Sequence, residues 1–173
     1  MEKTFNNLSK IAYRMATDHG FHDEKHSIKH YKCLIISELM EAVEADRQGN
    51  NADMDAFDKY EGRISFEENF ERHVKDSVAD ELADACIRIF DLAGCTNTDL
   101  DVKVNKPKLA SESFPEMVFE VCQELMIYSA YSLTRSLLLI YQIAELRDVD
   151  LDWHIELKMK YNSTRPRLHN KQY

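Results

Sequence analysis

Hydrophobic residues recur every three or four positions along most of this chain, the spacing that lets an α-helix bury one face. In the N-terminal part the pattern predicts a first helix over about 4–18, with Gly20 as its stop. A second helix is predicted over about 28–47, ending at Gly49. The polar stretch 48–62 is predicted to be a loop with a helical turn near Met54–Tyr60.

A capping-box pattern at Ser65 and Glu68 opens the next helical region. This region is predicted to reach Ala93, to break near residues 75–76, and to close at Gly94.

The C-terminal third is predicted to contain two helices joined by a short turn. A long one begins after Ser113 and continues to about Leu146, because apolar residues keep the helical spacing throughout. Asp148 or Asp150 then caps a last helix, which Pro166 ends.

Composition supports one all-α domain over 1–173, a bundle of four or five helices. The 173 residues include only 4 Gly and 3 Pro, which favours long helices over many short strands. A net charge of −9 argues against nucleic acid as a partner, because duplex binding needs a basic face. No signal-like or membrane-spanning apolar run is evident and the four cysteines form no CxxC pair, so we expect a cytoplasmic protein with reduced thiols and no membrane partner.

Carboxylates interrupt the apolar pattern in two helices. Glu38 falls near the middle of the apolar stripe of the second helix, and Glu41 borders it one turn later. Glu81 and Asp84 repeat this i, i+3 spacing in another apolar helix. Ionised carboxylates facing a bundle interior need a positive partner, and carboxylate oxygens suit Mg²⁺, with Mn²⁺ as a substitute. The sequence therefore predicts a metal site between helices.

Two other interpretations of these acids remain open. Acidic helices often carry such pairs on a solvated face, where they bind nothing. A di-iron carboxylate bundle is a further candidate, but it requires Glu-x-x-His motifs. No histidine follows three residues after any of the four acids, which counts against di-iron.

The C-terminal segment 158–173 is basic in an otherwise acidic protein. Lys158, Asn162 and Arg165 lie at i, i+4 and i+7, so one helix face would present a cation, an amide and a guanidinium. Such a face can bind phosphate through charge-assisted hydrogen bonds. The alternative is a solubilising tail at a helix C-terminus.

Histidines and aromatic residues form two further groups of candidate functional residues. Histidines 19, 22, 26 and 30 have spacings that would suit a metal site if the segment were helical, although a solvated connector is the simpler interpretation. Aromatic residues such as Phe5, Tyr13, Phe21 or Trp153 could stack on a base, but core positions account for them equally simply.

Three segments together resemble the MazG-like all-α nucleoside triphosphate pyrophosphohydrolases. They are Ser37-Glu38-Leu39-Met40-Glu41-Ala42, Asp80-Glu81-Leu82-Ala83-Asp84, and Lys158-Met159-Lys160-Tyr161-Asn162-Ser163-Thr164-Arg165-Pro166. The resemblance extends from the second helix to the C-terminus. The chain departs from the family pattern in two places. The gap between Glu41 and Glu81 is longer than in compact members, so 48–74 is predicted to be an insertion. The tail has His169-Asn170-Lys171, where similar sequences often have His-Gly-Lys.

The resemblance implies Mg²⁺-dependent hydrolysis of a nucleoside triphosphate to the monophosphate and pyrophosphate, in nucleotide-pool sanitising or balancing. It implies metal binding by Glu38, Glu41, Glu81 and Asp84, with Glu38 and Glu41 also catalytic. It further implies phosphate binding by Lys158, Asn162, Arg165 and Lys171, and a homodimer or dimer of dimers. For the proton acceptor, Glu41 and nearby Glu44 are both candidates, although Glu44 also fits the exposed side of its helix.

A different class of function fits the same composition. A non-catalytic helical adaptor or nucleotide-binding protein would carry its acids on the surface and use its basic tail to bind an acidic partner. The sequence has no motif that identifies a preferred nucleobase.

Overall fold

The structure, a computed structural model, describes residues 4–170 and 172. This part of the chain is all-helical and contains no β-strand, which confirms the predicted all-α class. Its α-helices are α1 (Phe5–Asp18), α2 (Ile28–Gln48), α3 (Met54–Tyr60), α4 (Phe66–His73), α5 (Val78–Cys95), α6 (Phe114–Met126), α7 (Ala130–Leu146) and α8 (Leu151–Thr164). A short 3₁₀ helix follows at Arg167–Asn170. In this part of the protein no helix is both long and apolar enough to cross a membrane.

Helix α5 is the centre of the bundle. It packs against α1, α2, α7 and α8, and most of its side chains are buried. Its apolar residues include Leu82, Ile89 and Phe90, which are fully buried in the main core. The acids of α5 are therefore held on the most enclosed element of the fold.

Local capping sets most of the predicted helix starts. The side chain of Ser77 accepts a hydrogen bond from the backbone N–H of Asp80 at the start of α5, and Asp150 does the same for Trp153 in α8. Gly49 ends α2 with a left-handed φ of 68°, as glycine allows. The predicted break near 75–76 is also confirmed, since α4 ends at His73.

Helices α3 and α4 fill the predicted insertion 48–74. They bury a second, smaller apolar cluster against α8, formed by Phe57, Phe70, Val74 and Tyr161. The rings of Phe70 and Tyr161 stack with centroids 4.4 Å apart. The insertion thus supports the helix that carries Lys158 and Asn162.

The predicted long helix from 113 to 146 is wrong, because the chain breaks between α6 and α7. Ile127 has extended backbone, and Ser129 caps α7. The Ser129 side chain accepts from the backbone N–H of Ser132, and the Ser132 hydroxyl lies 3.0 Å from the backbone N of Ser129. This reciprocal capping box provides a new helix start, and apolar spacing alone does not show it.

Gly94 does not close α5, which continues to Cys95. A Cβ atom at this position would lie 2.4 Å from Cβ of Tyr13 and 2.9 Å from the backbone oxygen of Ser9. The glycine therefore permits a close approach of α1 to α5. The Ser9 hydroxyl donates to the carbonyl of Phe90 at 2.9 Å along the same contact.

Candidate functional site

Three of the four predicted metal ligands meet between α2 and α5. Glu38, Glu41 and Glu81 each offer a carboxylate oxygen, and these oxygens lie within 4.8 Å of one another. Glu38 and Glu81 are each only 4% exposed, whereas Glu41 is open to solvent. Carboxylate groups arranged in this way fit a hard cation that keeps some of its water. We call these residues the acid cluster.

Burial and mutual repulsion disfavour the ionised form of the acid cluster. Burial, together with the nearby carboxylates of Asp84 and Asp80, raises the pKa of Glu81 to about 9. Burial also raises the pKa of Glu38, with Asp84 adding to the effect and Arg88 opposing it. A divalent cation would relieve this repulsion, so the residues present fit Mg²⁺ or Mn²⁺.

Arg88 is a site residue that the sequence analysis missed. Its Nε donates to Oε1 of Glu38 at 2.9 Å, and it is the only basic residue of α5. It lies seven positions after Glu81, on the same helix face. Desolvation lowers the pKa of Arg88, but Glu38 and Asp84 outweigh this and raise it, so the guanidinium stays charged. The sequence did contain a signal for Arg88, because it is the one basic residue in a helix that is otherwise apolar and acidic.

Asp84 belongs to a different arrangement from the acid cluster. Its Oδ2 lies 2.8 Å from Nζ of Lys158, which also lies 2.7 Å from Oδ2 of Asp80. Lys158 is 5% exposed and Asp80 1%. Burial lowers the pKa of Lys158, but Asp84 and Asp80 raise it by more, so the ammonium remains charged. Lys158 is thus a buried counter-ion for two carboxylates.

A second group of acids shares Glu81 with the acid cluster. The carboxylates of Asp76, Asp80 and Glu81 also lie within 4.8 Å of one another. Lys75 and Lys158 pair with Asp76 and Asp80, respectively. Among the described residues, Arg88 is the one cation in a salt bridge with the acid cluster, so of the two groups the acid cluster has the greater need of a cation.

A cleft opens beside these acids. It is formed by α1, α5, α8 and the C-terminal turn. Its lining residues are Ala12, Met15, Ala16, His19, Phe21, Asp84, Ile87, Arg88, Asp91, Met159, Asn162, Arg165 and His169. Arg88 joins the cleft to the acid cluster, because it lines the former and is hydrogen-bonded to Glu38 in the latter.

Two of the predicted phosphate-binding residues line this cleft, and Lys158 does not. Oδ1 of Asn162 is buried and has no hydrogen-bond partner in the described part of the chain. Such an oxygen is costly unless something donates to it. Arg165 follows the end of α8, with its guanidinium 5.7 Å from the centre of the Tyr161 ring. Together they supply an amide and a cation to the cleft.

The C-terminal turn covers one side of the cleft. The backbone N–H of Leu168 donates to the carbonyl of His19 at 2.9 Å, and the ring of His169 lies 5.0 Å from that of Phe21. Asn170 has a left-handed φ of 60°, which glycine adopts freely and asparagine tolerates. Asn170 therefore replaces the glycine of the His-Gly-Lys pattern at a position whose backbone conformation both residues can adopt. Lys171, the remaining predicted phosphate ligand, lies outside the described residues.

The histidine-rich segment is not simply a solvated connector. Nε2 of His22 lies 2.7 Å from Oδ1 of Asp91, and the His22 side chain is only 8% exposed. The candidate metal groups found among residues 4–170 and 172 contain no histidine. Tertiary packing of the segment against α5 therefore corrects the solvated interpretation for His22.

Glu44, the second candidate for proton acceptor, does not belong to the acid cluster. It is exposed and pairs with Arg47 at 2.7 Å and Gln48 at 2.9 Å on its own helix. It therefore has the character of a surface residue, as the alternative interpretation held.

Comparisons with protein-family models, curated proteins and solved structures find no significant match for this chain. The functional argument therefore depends on the chemistry of the acid cluster and the cleft.

The raised pKa of Glu81 predicts how the metal-free protein responds to pH. The ordinary pKa of the group is 4.5 and the folded value is about 9, so the folded state retains a proton that the unfolded state loses across this window. Stability from this group is therefore complete below about pH 4.5 and is lost as pH rises toward 9. In EDTA, melting temperature should fall between pH 5.5 and 8.5, by about 2–4 °C for each kcal/mol lost.

The matched test uses Glu81→Gln, which stays uncharged at every pH. Its melting temperature should fall less than that of the wild type over the same range, while the exposed control Glu44→Gln should follow the wild type. Parallel curves for the wild type and Glu81→Gln would show that Glu81 is not the group responsible.

Proposed function

We propose that this protein is a Mg²⁺-dependent nucleoside triphosphate pyrophosphohydrolase of the MazG-like kind. The acid cluster next to a cleft that contains Arg88, Asn162 and Arg165 is the observation that carries this proposal. Negative groups for a cation and positive groups for phosphate lie together, as phosphoryl-transfer sites require. The sequence resemblance independently favours the same activity.

Each group has a physical task in the proposed reaction. When bound, Mg²⁺ supplies charge neutralisation on the phosphates and activates the attacking water. Glu41 is the solvent-exposed member of the acid cluster, and we assign to it the role of accepting the proton of that water. Arg165 and Asn162 orient the phosphate chain, and Lys158 fixes the position of Asp84 rather than contacting substrate.

Product analysis tests the reaction directly. Incubating the protein with each common nucleoside and deoxynucleoside triphosphate in Mg²⁺ should give the monophosphate and pyrophosphate, separated by ion-exchange chromatography. EDTA should stop the reaction. Orthophosphate with a nucleoside diphosphate as the first products would refute the pyrophosphohydrolase assignment while keeping the metal site.

The adaptor hypothesis is supported by a separate surface. Three apolar side chains are each more than half exposed: Phe119 in the middle of α6, Met126 at its last residue and Ile127 directly after it. Exposed apolar groups of this kind often mark a protein interaction site. Absence of turnover with every triphosphate, together with no effect of Mg²⁺ on melting temperature, would favour this function over hydrolysis.

A further inference from the structure

A single carboxylate lies at the end of the cleft remote from the acid cluster. Asp91 lines the cleft and is 7% exposed. Its Oδ1 is bound by Nε2 of His22 at 2.7 Å, and Nδ1 of His22 lies 3.1 Å from the hydroxyl of Tyr31. Among the described residues the side-chain hydrogen bond of Asp91 is the one from His22 to Oδ1, and none involves Oδ2. The carboxylate is thus oriented by one neighbour and has an oxygen left for a ligand.

Along α5, the distance from the acid cluster to Asp91 is comparable to the length of a nucleoside triphosphate from its terminal phosphate to its base. Glu81, Asp84, Arg88 and Asp91 follow at intervals of three or four residues, so they share one helix face. With a rise of 1.5 Å per residue, Glu81 and Asp91 are about 15 Å apart along the axis. A nucleoside triphosphate with its phosphates at Arg88 and the acid cluster would direct its base toward Asp91.

The cleft that Asp91 lines also has side chains that suit an aromatic ring. They are Met15, Phe21 and the imidazole of His169. Aromatic and apolar side chains of this kind hold bases by stacking without distinguishing among them. Discrimination must then come from a polar group at the base edge, and Asp91 is a buried polar group that lines the same cleft.

The chemistry of a carboxylate distinguishes the bases. Its two oxygens accept two parallel donors, and Oδ1 can accept a second hydrogen bond in addition to that with His22. Guanine offers such a pair in N1–H and its exocyclic amino group. Adenine and cytosine place a ring acceptor beside the amino group, and uracil and thymine flank their N–H with carbonyls. Those acceptors would face the carboxylate and be repelled.

We propose that Asp91, held in position by His22, reads the base, and that the cleft takes guanine nucleotides. This inference rests on the proposed function, because the phosphates must lie at the acid cluster for the base to reach Asp91. Asp91 is then a specificity-determining residue and His22 its positioning residue.

Equilibrium binding tests the inference without relying on turnover. Isothermal titration in Mg²⁺ with α,β-methylene analogues, which resist cleavage, should rank guanine first. The hypoxanthine analogue lacks the amino group and should bind about tenfold more weakly, and the adenine, cytosine and uracil analogues should bind more weakly still. Pyrophosphate in Mg²⁺ serves as a probe of the phosphate region alone.

The variants separate base reading from folding and from phosphate binding. Asp91→Asn keeps the shape and an acceptor for His22, so its far-ultraviolet circular dichroism and pyrophosphate affinity should match the wild type. Its guanine preference should fall to within about threefold of the other bases, since one oxygen of the pair becomes a donor. His22→Gln should weaken the preference in the same direction. Asp18→Asn, an exposed acid-to-amide change on α1, should alter nothing.

The outcomes distinguish the two proposals. Equal binding of all bases, or a preference for another base, together with normal pyrophosphate binding would overturn the role of Asp91 and leave the proposed function standing. An unchanged guanine preference in Asp91→Asn would overturn it as well. Absence of binding by pyrophosphate and every triphosphate analogue would overturn the proposed function and this inference with it.

Discussion

Replacing Glu38 by glutamine should lower kcat for triphosphate hydrolysis by about a hundredfold or more and leave the fold intact. Glu38 is buried with Glu81 beside the exposed Glu41, so its amide would remove negative charge from the cation site and introduce a donor there. The amide oxygen can still accept from Arg88, whose Nε lies 2.9 Å from Oε1 in the wild type. The helix contact that Glu38 makes would therefore survive.

The metal-free stability of this variant gives a second measurement. Because burial and Asp84 raise the pKa of Glu38, neutralising the side chain should leave the melting temperature in EDTA unchanged or higher. Mg²⁺ should stabilise the wild type and have little effect on the variant.

Glu44→Gln is the matched control for both measurements. It makes the same chemical change on α2, but at an exposed residue paired only with Arg47 and Gln48 in the described hydrogen bonds. Its kinetics should equal those of the wild type. Equal kinetics in Glu38→Gln would remove Glu38 from the site.

Replacing Lys158 by methionine should have the largest effect on stability. The ammonium lies 2.7 Å from Asp80 and 2.8 Å from Asp84, and its loss would leave two carboxylates without their shared counter-ion. Breaking a buried ion pair from one side costs about 3–5 kcal/mol of unfolding free energy, because the remaining charge is buried uncompensated. Urea unfolding followed by circular dichroism at pH 8 would measure this loss.

The pH dependence of this loss identifies its cause. With Lys158 present, the pKa of Asp80 is already about 6, chiefly because of burial, and its removal should raise that pKa further. A buried acid with a raised pKa is less costly when protonated, so the deficit of Lys158→Met should be smaller at pH 5 than at pH 8. The double variant Lys158→Met/Asp80→Asn should recover part of the stability.

Lys160→Met is the control for lost lysine packing on α8. Lys160 is exposed, with its ammonium 3.9 Å from the centre of the Phe66 ring, so its removal should cost only about 0.5–1 kcal/mol. If both variants lose the same stability, the pairing of Lys158 with Asp80 and Asp84 contributes nothing beyond packing.

Local sequence patterns determined most helix positions. The first two helices, the turn that became α3, the break before α5 and the start of α8 follow from apolar spacing and from capping residues such as Ser77 and Asp150. These signals act within a few residues along the chain, so they can be recognised without knowing what packs against the helix. The failure at 127–129 arose because a local capping box interrupted an otherwise continuous apolar pattern.

Part of the candidate site could also be predicted from the sequence. Glu38 in an apolar stripe indicated a buried charge, and the i, i+3 spacing of the acids indicated a group on each of two helices. The structure then brought Glu38, Glu41 and Glu81 together. It grouped Asp84 with Lys158 instead, and it brought in Arg88 and Asp91, which no spacing argument had selected.

The sequence by itself determined the helical class, most helix limits and the presence of buried acids, because periodicity and capping are properties of neighbouring residues. Only the tertiary structure decided which charges meet. Lys158 contacts Asp80 across 78 positions of sequence, and His22 contacts Asp91 across 69. Such pairings depend on how α1, α5 and α8 pack and on close approaches such as the one at Gly94, where a missing Cβ sets the distance between helices. Helical spacing fixes the face on which a side chain lies, but packing selects its partner.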